Sequence, residues 1–265
     1  MSSLCRRRNK GRGNARLQDE LRTVTSYLVG ANVLAIVLAA GTASRMGGRP
    51  KCLLKRNGQT LLQRLLDRLE AAGIDETVLV LGHHADAVQQ VLDSVTVNEV
   101  LKRMTVHRVL NPQPANGQNS SLHLGLAKAQ TLSPDWLMVA LADQPLIDTQ
   151  DIKDLVAAVK HSPEGTQMLQ PQVGVSGQKA LPGNPVMLSH RAMTDLLQSA
   201  QKLGSEGSVD PSSLPGGKEW RQRHPERCHP WPTTNMHYRI DMDTPEDLAA
   251  LEAQYGIQLV WDEGL

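Results

Sequence analysis

The fold is decided by the stretch VLAIVLAAGTASRMGGRPK, which runs from Val33 to Lys51. Its first part, VLAIVLA, is a continuous apolar run, as expected for a strand that is buried on both faces of a parallel sheet. Small residues, three glycines, Arg45 and Lys51 follow. A buried strand that opens into a glycine-rich turn with two cations is a pattern suited to binding phosphate.

This turn matches neither of two familiar phosphate-binding loops. A Walker A loop needs a second glycine five positions after the first, but Met46 stands at that distance from Gly41, and Lys51 is followed by Cys52. A dinucleotide fingerprint needs a glycine where this chain has Ala43. Both templates are therefore excluded.

The pattern that remains, LAAGxxxRMGxxPK, suggests a role for each part. Ala39, Ala40 and Gly41 present backbone to a flat base or ribose, since no large side chain stands in the way. Arg45 offers a planar fork for phosphate oxygens, and Lys51 offers a point charge. The alternative interpretation is a glycine-rich loop whose cations are merely exposed to solvent.

Strands and helices alternate along the chain from residue 31 onward. Apolar runs predict strands at 33–39, 77–82, 105–111 and 136–143, and helical spacing predicts helices at 60–73, 86–93, 120–130, 148–160 and 191–200. This alternation predicts an α/β fold with a doubly wound, mostly parallel sheet in three Rossmann-like α/β/α layers. Ligands bind beyond the carboxyl ends of such strands, where the 40–51 loop, Gly82, Asn111 and Asp143 fall.

Two segments differ from the rest in composition. Residues 1–30 include the basic run SLCRRRNKGRGNAR and predict a disordered extension, the alternative being an arm that touches nucleic acid or an acidic partner. Residues 31–265 read as a single domain, with an irregular Gly-, Pro- and Ser-rich excursion at 204–235 that holds a short helix near 218–224.

The bulk composition excludes several classes of protein. A net charge of +1 gives no case for binding nucleic acid or a membrane, and no apolar run approaches the roughly 20 residues of a spanning helix. Three separated cysteines without a CxxC pair predict a reducing, cytoplasmic location. With 3% aromatic residues and no Phe, the core must be aliphatic.

Six blocks in a fixed order carry a family resemblance. They are LAAGTASRMGGRPK (38–51), VLVLG (78–82), NPQPANGQNSSLHLGL (111–126), VALADQPLI (139–147), GNPVML (183–188) and IDMDTPEDLAAL (240–251). Together they resemble the MobA-like NTP transferase family, most closely its molybdenum cofactor cytidylyltransferases, and they span essentially residues 33–256. The fold expected from the resemblance is the one that the strand pattern predicts.

The resemblance implies a nucleotidyl transfer, in which a phosphate on an acceptor attacks the α-phosphorus of an NTP and pyrophosphate leaves. By analogy, Lys51 lies near the α-phosphate and Arg45 nearer the leaving pyrophosphate. Asp143, at the end of a buried strand, and Asp243 are the expected Mg²⁺ ligands. The alternative for the second carboxylate is that Asp243 or Thr244 caps the following helix.

The resemblance also implies how the substrates are read. Ala39, Ala40, Gly82 and Ser121 match positions that read the nucleotide in relatives, and the AAG form of the first turn favours CTP over GTP. The expected acceptor is molybdopterin, walled by residues 111–121 and 183–187, and a molybdoenzyme is the expected client. Asn184 stands where relatives often carry His, which leaves the identity of the acceptor open.

Other interpretations stay open from the sequence. The nearest are a GTP-using guanylyltransferase and a sugar-phosphate nucleotidyltransferase; more distant are an NAD(P)-dependent reductase and a non-catalytic cofactor chaperone. The excursion at 204–235 could serve as a lid over the acceptor or as a docking surface. Its His224, Cys228 and His229 offer too few ligands for a closed zinc site, and His83-His84 is more typical of a solvated loop than of a ribose contact.

Overall fold

The computed structural model describes residues 31–93, 103–174, 179–205 and 211–262. The strands are β1 (Val33–Ala39), β2 (Lys55–Arg56), β3 (Gln59–Thr60), β4 (Glu76–Leu81), β5 (Thr105–Leu110), β6 (Trp136–Leu141), β7 (Met168–Val173), β8 (Leu181–Pro182), β9 (Val186–Ser189) and β10 (Cys228–Thr233). The helices are α1 (Leu61–Ala71), α2 (Ala85–Leu92), α3 (Gln118–Gln130), α4 (Thr149–Lys160), α5 (His190–Ser205), α6 (Gly217–Arg223) and α7 (Pro245–Tyr255).

Strand β1 lies in the middle of one mixed sheet with the order β10-β7-β9-β6-β1-β4-β5, and β8 pairs with β7. Val37 is in register with Leu79 of β4 on one side and Ala140 of β6 on the other, and both pairings are parallel. Strand β9 runs antiparallel to both β6 and β7. The mostly parallel doubly wound sheet predicted from the sequence is therefore confirmed.

The two faces of the sheet carry separate cores, because successive side chains of a strand point to opposite faces. Ala35 and Val37 pack in a cluster with residues of α1, α2 and α4, whereas Leu34 and Ile36 pack in a cluster with residues of α3 and α5. All four of these β1 side chains are fully buried. This is why the run VLAIVLA is apolar throughout and does not alternate.

Helix boundaries follow the capping chemistry that the sequence displays. Thr60 caps α1 in a capping box with Gln63, and Asp148 caps α4 in the same way with Asp151. The helix predicted at 60–73 ends at Ala71, shortly before Gly73, whose φ of +90° is a conformation that favours glycine.

Six strands were missed by the sequence analysis: the two-residue strands β2, β3 and β8, and the longer strands β7, β9 and β10. Strand β10 carries Pro230 and Pro232, and prolines in a strand are tolerated at a sheet edge, which is where β10 lies. The 204–235 excursion was predicted to be irregular, but its described residues hold both the expected short helix, α6, and this edge strand.

The domain organisation and the helices were also compared with the sequence-based expectations. Val33–Leu265 form one compact unit, and the predicted disorder of residues 1–30 lies outside the described residues. Within the described ranges, none of the helices combines the length and the apolar character that a bilayer crossing requires.

Helix α3 depends on a glycine for its close approach to the sheet. A Cβ at Gly125 would lie 2.8 Å from Ile36 Cγ2 and 3.1 Å from Val80 Cγ2. We expect Gly125→Ala to lower the free energy of unfolding by about 1–3 kcal/mol, because the core must shift to admit the methyl group. Chemical denaturation measures this.

Gly217→Ala is the matched control for that variant. The added Cβ would meet only Met168 Cε at 3.5 Å, an ordinary contact. Its stability should therefore stay within about 0.5 kcal/mol of the wild type. Equal losses in the two variants would contradict the packing argument.

Candidate active site

Three segments that are distant in the chain meet beside the carboxyl ends of β1 and β6. They are the 40–51 loop after β1, residues 142–143 after β6, and residues 241–243 before α7. The amide of Ala142 donates to the Leu38 carbonyl at 3.2 Å, and the amide of Met242 donates to the Asp143 carbonyl at 3.1 Å. These bonds bring the end of β6 against β1 and the segment before α7 against β6. A cavity of about 490 Å³ lies where the three segments and the start of α3 come together.

Lys51 forms the electrostatic centre of this site. Its Nζ lies 2.7 Å from Asp143 Oδ2 and 2.6 Å from Asp243 Oδ1. The Lys51 and Asp143 side chains are only 17% and 19% exposed, whereas that of Asp243 is 47% exposed. Arg45 Nη1 lies 3.9 Å from Asp243 Oδ2 and its side chain is largely exposed. The structure thus brings together all four charged residues that the sequence predicted.

The charges in the site perturb one another. Burial on its own lowers the pKa of Lys51, but the Asp143 and Asp243 carboxylates outweigh it, so the pKa of Lys51 is raised. Desolvation and the neighbouring Asp143 and Asp243 carboxylates raise the pKa of Asp241, which lines the same cavity. Burial and the Asp143 carboxylate raise the pKa of the Cys52 thiol to about 12, so it is not a nucleophile at neutral pH.

The donor set of the site fits a divalent cation. Asp143, Asp241 and Asp243 supply three carboxylates against the single ammonium of Lys51, with Arg45 at the exposed rim. Asp143 Oδ1 is buried and has no hydrogen-bond partner among the described residues. A buried carboxylate oxygen without a partner beside surplus negative charge is a ready ligand for a hard cation such as Mg²⁺.

The helix cap after this segment is made by Thr244 and not by Asp243. Thr244 Oγ1 accepts from the Asp247 amide at 3.4 Å, while the Asp247 carboxylate accepts from the amides of Asp243 and Thr244. The Asp243 side chain is thereby left for Lys51. The sequence left open whether Asp243 or Thr244 caps α7, and the structure shows that Thr244 does.

The 40–51 loop is anchored by its own small residues. Ala43 takes a left-handed conformation with φ of 50°, and its carbonyl accepts from the amides of Met46 and Gly48. The Ala43 and Met46 side chains are buried in a cluster with Met242. Because the turn is packed against the segment that carries Asp243, the cations of the loop are held beside that carboxylate.

Four of the predicted nucleotide-contacting residues line the cavity, and Gly82 does not. Ala39, Ala40, Gly41 and Ser121 line the 490 Å³ cavity. Gly82 is not among the lining residues: a Cβ there would lie 2.6 Å from the Ala40 carbonyl oxygen, so its small size serves the packing of β4 against the loop.

Ser121 and Asn184 lie in different surroundings. Asn111 Nδ2 donates to Ser121 Oγ at 2.9 Å and to Ser120 Oγ at 3.0 Å, which ties the start of α3 to the end of β5. Asn184 lines a second cavity that adjoins the first. Residues 111–121 and 183–187, the expected walls of the acceptor pocket, both contribute to this second cavity, and α6 of the 204–235 excursion adds a further wall. Sequence reasoning did not identify which α6 side chains line it, because that depends on how α6 packs against α3.

The histidines and cysteine of the excursion do not gather into a metal site among the described residues. The Cys228 thiol donates to the His224 carbonyl at 3.2 Å, and burial raises the pKa of that thiol. His123 is buried, and its Nε2 lies 2.8 Å from the Pro215 carbonyl oxygen, a structural contact.

One cluster outside the site has the composition of a metal centre, and sequence reasoning missed it. Asp148, Asp151 and His237 lie close enough to share an ion, yet Asp151 already accepts from Asn235 Nδ2 at 2.6 Å and lies 2.8 Å from His237 Nδ1. Its hydrogen bonds join the 235–238 turn to α4. The hydrogen bonds of Asp151 account for the cluster without an ion.

Comparison with known proteins shows the family to which this chain belongs. The family described as MobA-like NTP transferase domain matches residues 35–213. The chain belongs to this family.

Two curated proteins are similar to this chain in sequence over about half of its length. A nicotine blue oxidoreductase from Paenarthrobacter nicotinovorans is 34% identical over 131 residues, which cover 49% of this chain and 58% of that protein. A molybdenum cofactor guanylyltransferase from Vibrio cholerae is 33% identical over 125 residues, which cover 47% of this chain and 53% of that protein. The alignments thus span little more than half the length of these two relatives.

The fold is shared with solved nucleotidyltransferase structures. A 4-diphosphocytidyl-2C-methyl-D-erythritol synthase from Anaerococcus prevotii superposes with a TM-score of 0.63 at 16% identity, over 86% of this chain and 97% of that chain. At this identity the likeness concerns the fold alone.

The raised pKa of Asp241 predicts a pH-dependent change in stability. Because the folded-state pKa exceeds the unfolded value of 3.8, wild-type stability falls as the pH rises through that window, and ionised Asp241 is unfavourable at pH 7. Asp241→Asn should therefore raise the melting temperature at pH 7, by a small amount because Asp241 is exposed and solvent screens its charge, and the gain should shrink near pH 3.5. Thermal denaturation at both pH values measures it, with exposed Glu246→Gln as the control. A gain that grows on acidification would contradict the assignment.

Proposed function

We propose that this chain is a nucleotidyltransferase that joins a nucleoside monophosphate from an NTP to the terminal phosphate of a small acceptor. The observation that carries the proposal is the Lys51 ammonium bound between Asp143 and Asp243 at the edge of the cavity lined by Ala39, Ala40 and Gly41. Membership of the MobA-like NTP transferase family supports it.

The proposed step is an in-line displacement at phosphorus. An oxygen of the acceptor phosphate attacks the α-phosphorus and forms a new P–O bond. The bond from the α-phosphorus to the oxygen that bridges it to the β-phosphorus breaks, and its electron pair leaves with pyrophosphate. The attacking phosphate is already an anion, so no general base is required, and charge neutralisation with alignment can supply most of the rate.

In this proposal the two cations and two carboxylates have separate tasks. Asp143 and Asp243 would hold Mg²⁺, which when bound neutralises charge on the α-phosphate. Lys51, once its carboxylate partners are engaged, donates to the phosphate oxygens, and the exposed Arg45 fork meets the leaving pyrophosphate. The unpartnered Asp143 Oδ1 supports the assignment of Asp143 as a ligand.

CTP is the favoured nucleotide and a molybdopterin-type pterin the favoured acceptor in this proposal. The Ala40 methyl group leaves less room for a base than glycine would, which suits a pyrimidine. The guanylyltransferase relative keeps GTP as the nearest alternative. A molybdoenzyme that receives the finished cofactor would be the client.

A second candidate, an NAD(P)-dependent reductase, is favoured by one observation. The relative from Paenarthrobacter nicotinovorans is named an oxidoreductase and is 34% identical over 131 residues. Thermal shift with Mg²⁺ and each of CTP, GTP, ATP, UTP and NADPH separates the two. Stabilisation by CTP above the other nucleotides supports the transferase, and stabilisation by NADPH alone would overturn it.

Turnover tests the role of Asp143 directly. Asp143→Ala should reduce pyrophosphate release, measured with purified molybdopterin, Mg²⁺ and CTP, by about 10³-fold or more, since it removes both a cation ligand and the partner of Lys51. Circular dichroism should show a retained fold. Turnover within about 10-fold of the wild type would refute the site.

The ion pairs of Lys51 predict that this residue competes with the divalent cation. Lys51→Met should tighten Mn²⁺ binding in the absence of nucleotide by about 10-fold or more, since a nearby like charge at a partly buried site costs on the order of 1–4 kcal/mol. Electron paramagnetic resonance of free Mn²⁺ measures this. Lys55→Met is the matched control, because Lys55 pairs with Asp262 away from the cavity. Weaker Mn²⁺ binding in Lys51→Met would contradict the competition.

A further inference from the structure

A second cavity of about 400 Å³ adjoins the candidate nucleotide cavity. Leu38, Gln118 and Leu141 line both cavities, so the two share a wall at the carboxyl ends of β1 and β6 and at the start of α3. Its volume lies in the range of small-molecule sites. A compound held in the second cavity would therefore lie next to a nucleotide held in the first.

Part of this cavity is built by α6, which lies outside the matched family domain of residues 35–213. Gly217, Lys218, Glu219 and Arg221 of this helix line the cavity. The family match therefore says nothing about this wall. The chemistry of this wall depends on the α6 side chains of this chain.

Helix α6 is firmly attached to α3 and to the core. Trp220 is 1% exposed and packs in the cluster beneath the sheet face that carries α3. Asn119 Nδ2 donates to the Leu214 carbonyl at 2.8 Å, and His123 Nε2 donates to the Pro215 carbonyl at 2.8 Å. Gly216 packs so closely on Asn119 that a Cβ would lie 2.3 Å from its Oδ1. The side chains of α6 are thus presented from a fixed position.

The lining of the cavity combines apolar and polar side chains. The apolar part consists of Leu122, Val139, Met168, Val186 and Leu188. The polar part includes the amide groups of Gln170 and Asn184 and the cations of Lys218 and Arg221. Such a lining suits a flat ring with polar atoms on its rim.

Arg221 is the lining cation whose position is fixed by a hydrogen bond. Its Nη1 donates to Gln170 Oε1, and Gln170 Nε2 donates to the Gly183 carbonyl at 3.1 Å, so the guanidinium is oriented by a neutral amide. Within the described ranges, neither Arg221 nor Lys218 has a carboxylate within ion-pair distance. A half-buried guanidinium without a counter-ion is complementary to an anionic or carbonyl oxygen.

Glu219 is the one carboxylate on this wall, and it is engaged by backbone. Its Oε2 accepts from the Gly216 amide at 2.9 Å, and this hydrogen bond is the main cause of its lowered pKa. Glu219 therefore stays ionised and would repel an anion placed beside it. The anionic or carbonyl oxygen must accordingly lie on the Arg221 and Gln170 side.

We propose that Arg221, together with Gln170 and Asn184, binds the ring end of the acceptor. The acceptor class is then a flat ring compound that carries its phosphate at one end and a carbonyl or anionic oxygen at the other. This inference rests on the proposed transferase function and makes α6 the element that determines acceptor specificity. The planar guanidinium can form two parallel hydrogen bonds to such an edge, which a lysine cannot.

The kinetic test separates acceptor binding from nucleotide binding. In pyrophosphate-release assays with molybdopterin and CTP, Arg221→Ala should raise the acceptor KM by about 10- to 100-fold, the loss of one or two charge-assisted hydrogen bonds, with the CTP KM unchanged. Arg221→Lys should recover only part of this. Arg223→Ala, on the same helix but not lining the cavity, is the matched control and should leave both KM values unchanged. An unchanged acceptor KM in Arg221→Ala would overturn the proposal.

A binding test without nucleotide keeps the two proposals distinguishable. Pterin-6-carboxylate is the probe, and its fluorescence quenching reports binding to the full chain. The wild type and Arg223→Ala should bind it about 10-fold or more tightly than Arg221→Ala does. If this difference is found while no NTP supports transfer, the subsite stands and the transferase function falls; equal binding by all three overturns the subsite.

Folding of the variants has its own control. Arg221→Ala should keep the CTP-induced thermal shift of the wild type, because Arg221 does not line the nucleotide cavity. If Arg221→Ala fails to fold, Asn184→Leu removes a second polar group from the lining of the same cavity and should weaken probe binding in the same direction. Unweakened binding in Asn184→Leu would then count against the proposal.

Discussion

The candidate site depends on one ammonium group shared by two carboxylates. Lys51 Nζ lies within 2.7 Å of oxygens of both Asp143 and Asp243, which belong to segments that follow β6 and precede α7. An ion pair of this kind is favourable only where geometry is fixed, since part-burial removes water from all three groups. The fixed geometry comes from backbone hydrogen bonds between neighbouring segments, such as that from the Met242 amide to the Asp143 carbonyl.

The sheet topology explains why two cavities lie side by side. Strands β1 and β6 are adjacent and parallel, so their carboxyl ends open onto the same edge, and α3 starts between the two openings. The start of α3 is pinned by Asn111 through Ser120 and Ser121, which fixes Gln118 as a common wall. A two-substrate reaction needs such an arrangement, because the reacting atoms must approach closely while each substrate keeps its own pocket.

Much of the fold could be predicted because its signals are local. A buried parallel strand is apolar throughout, and capping residues such as Thr60 and Asp148 indicate where helices begin. The missed strand β10 contains two prolines in six residues, so its strand character comes from pairing with β7 and not from its own sequence. The site was predictable to the extent that its residues fall at strand ends. Gly82 shows the limit: a glycine at a strand end is required for packing against Ala40, and the sequence does not distinguish that need from contact with a nucleotide.

The sequence by itself determined the doubly wound sheet and the cationic turn from Arg45 to Lys51. It offered Asp143 through its place at the end of a buried strand, and Asp243 only through the family resemblance. Periodicity, capping and residue chemistry act over a few residues, and the chain displays them directly. Only the tertiary structure decided that Lys51 lies between Asp143 and Asp243, that Thr244 and not Asp243 caps α7, and that Arg221 of α6 lines a second cavity. These outcomes depend on which segments pack together across up to 192 residues of chain, and long-range packing leaves no local signal in the sequence.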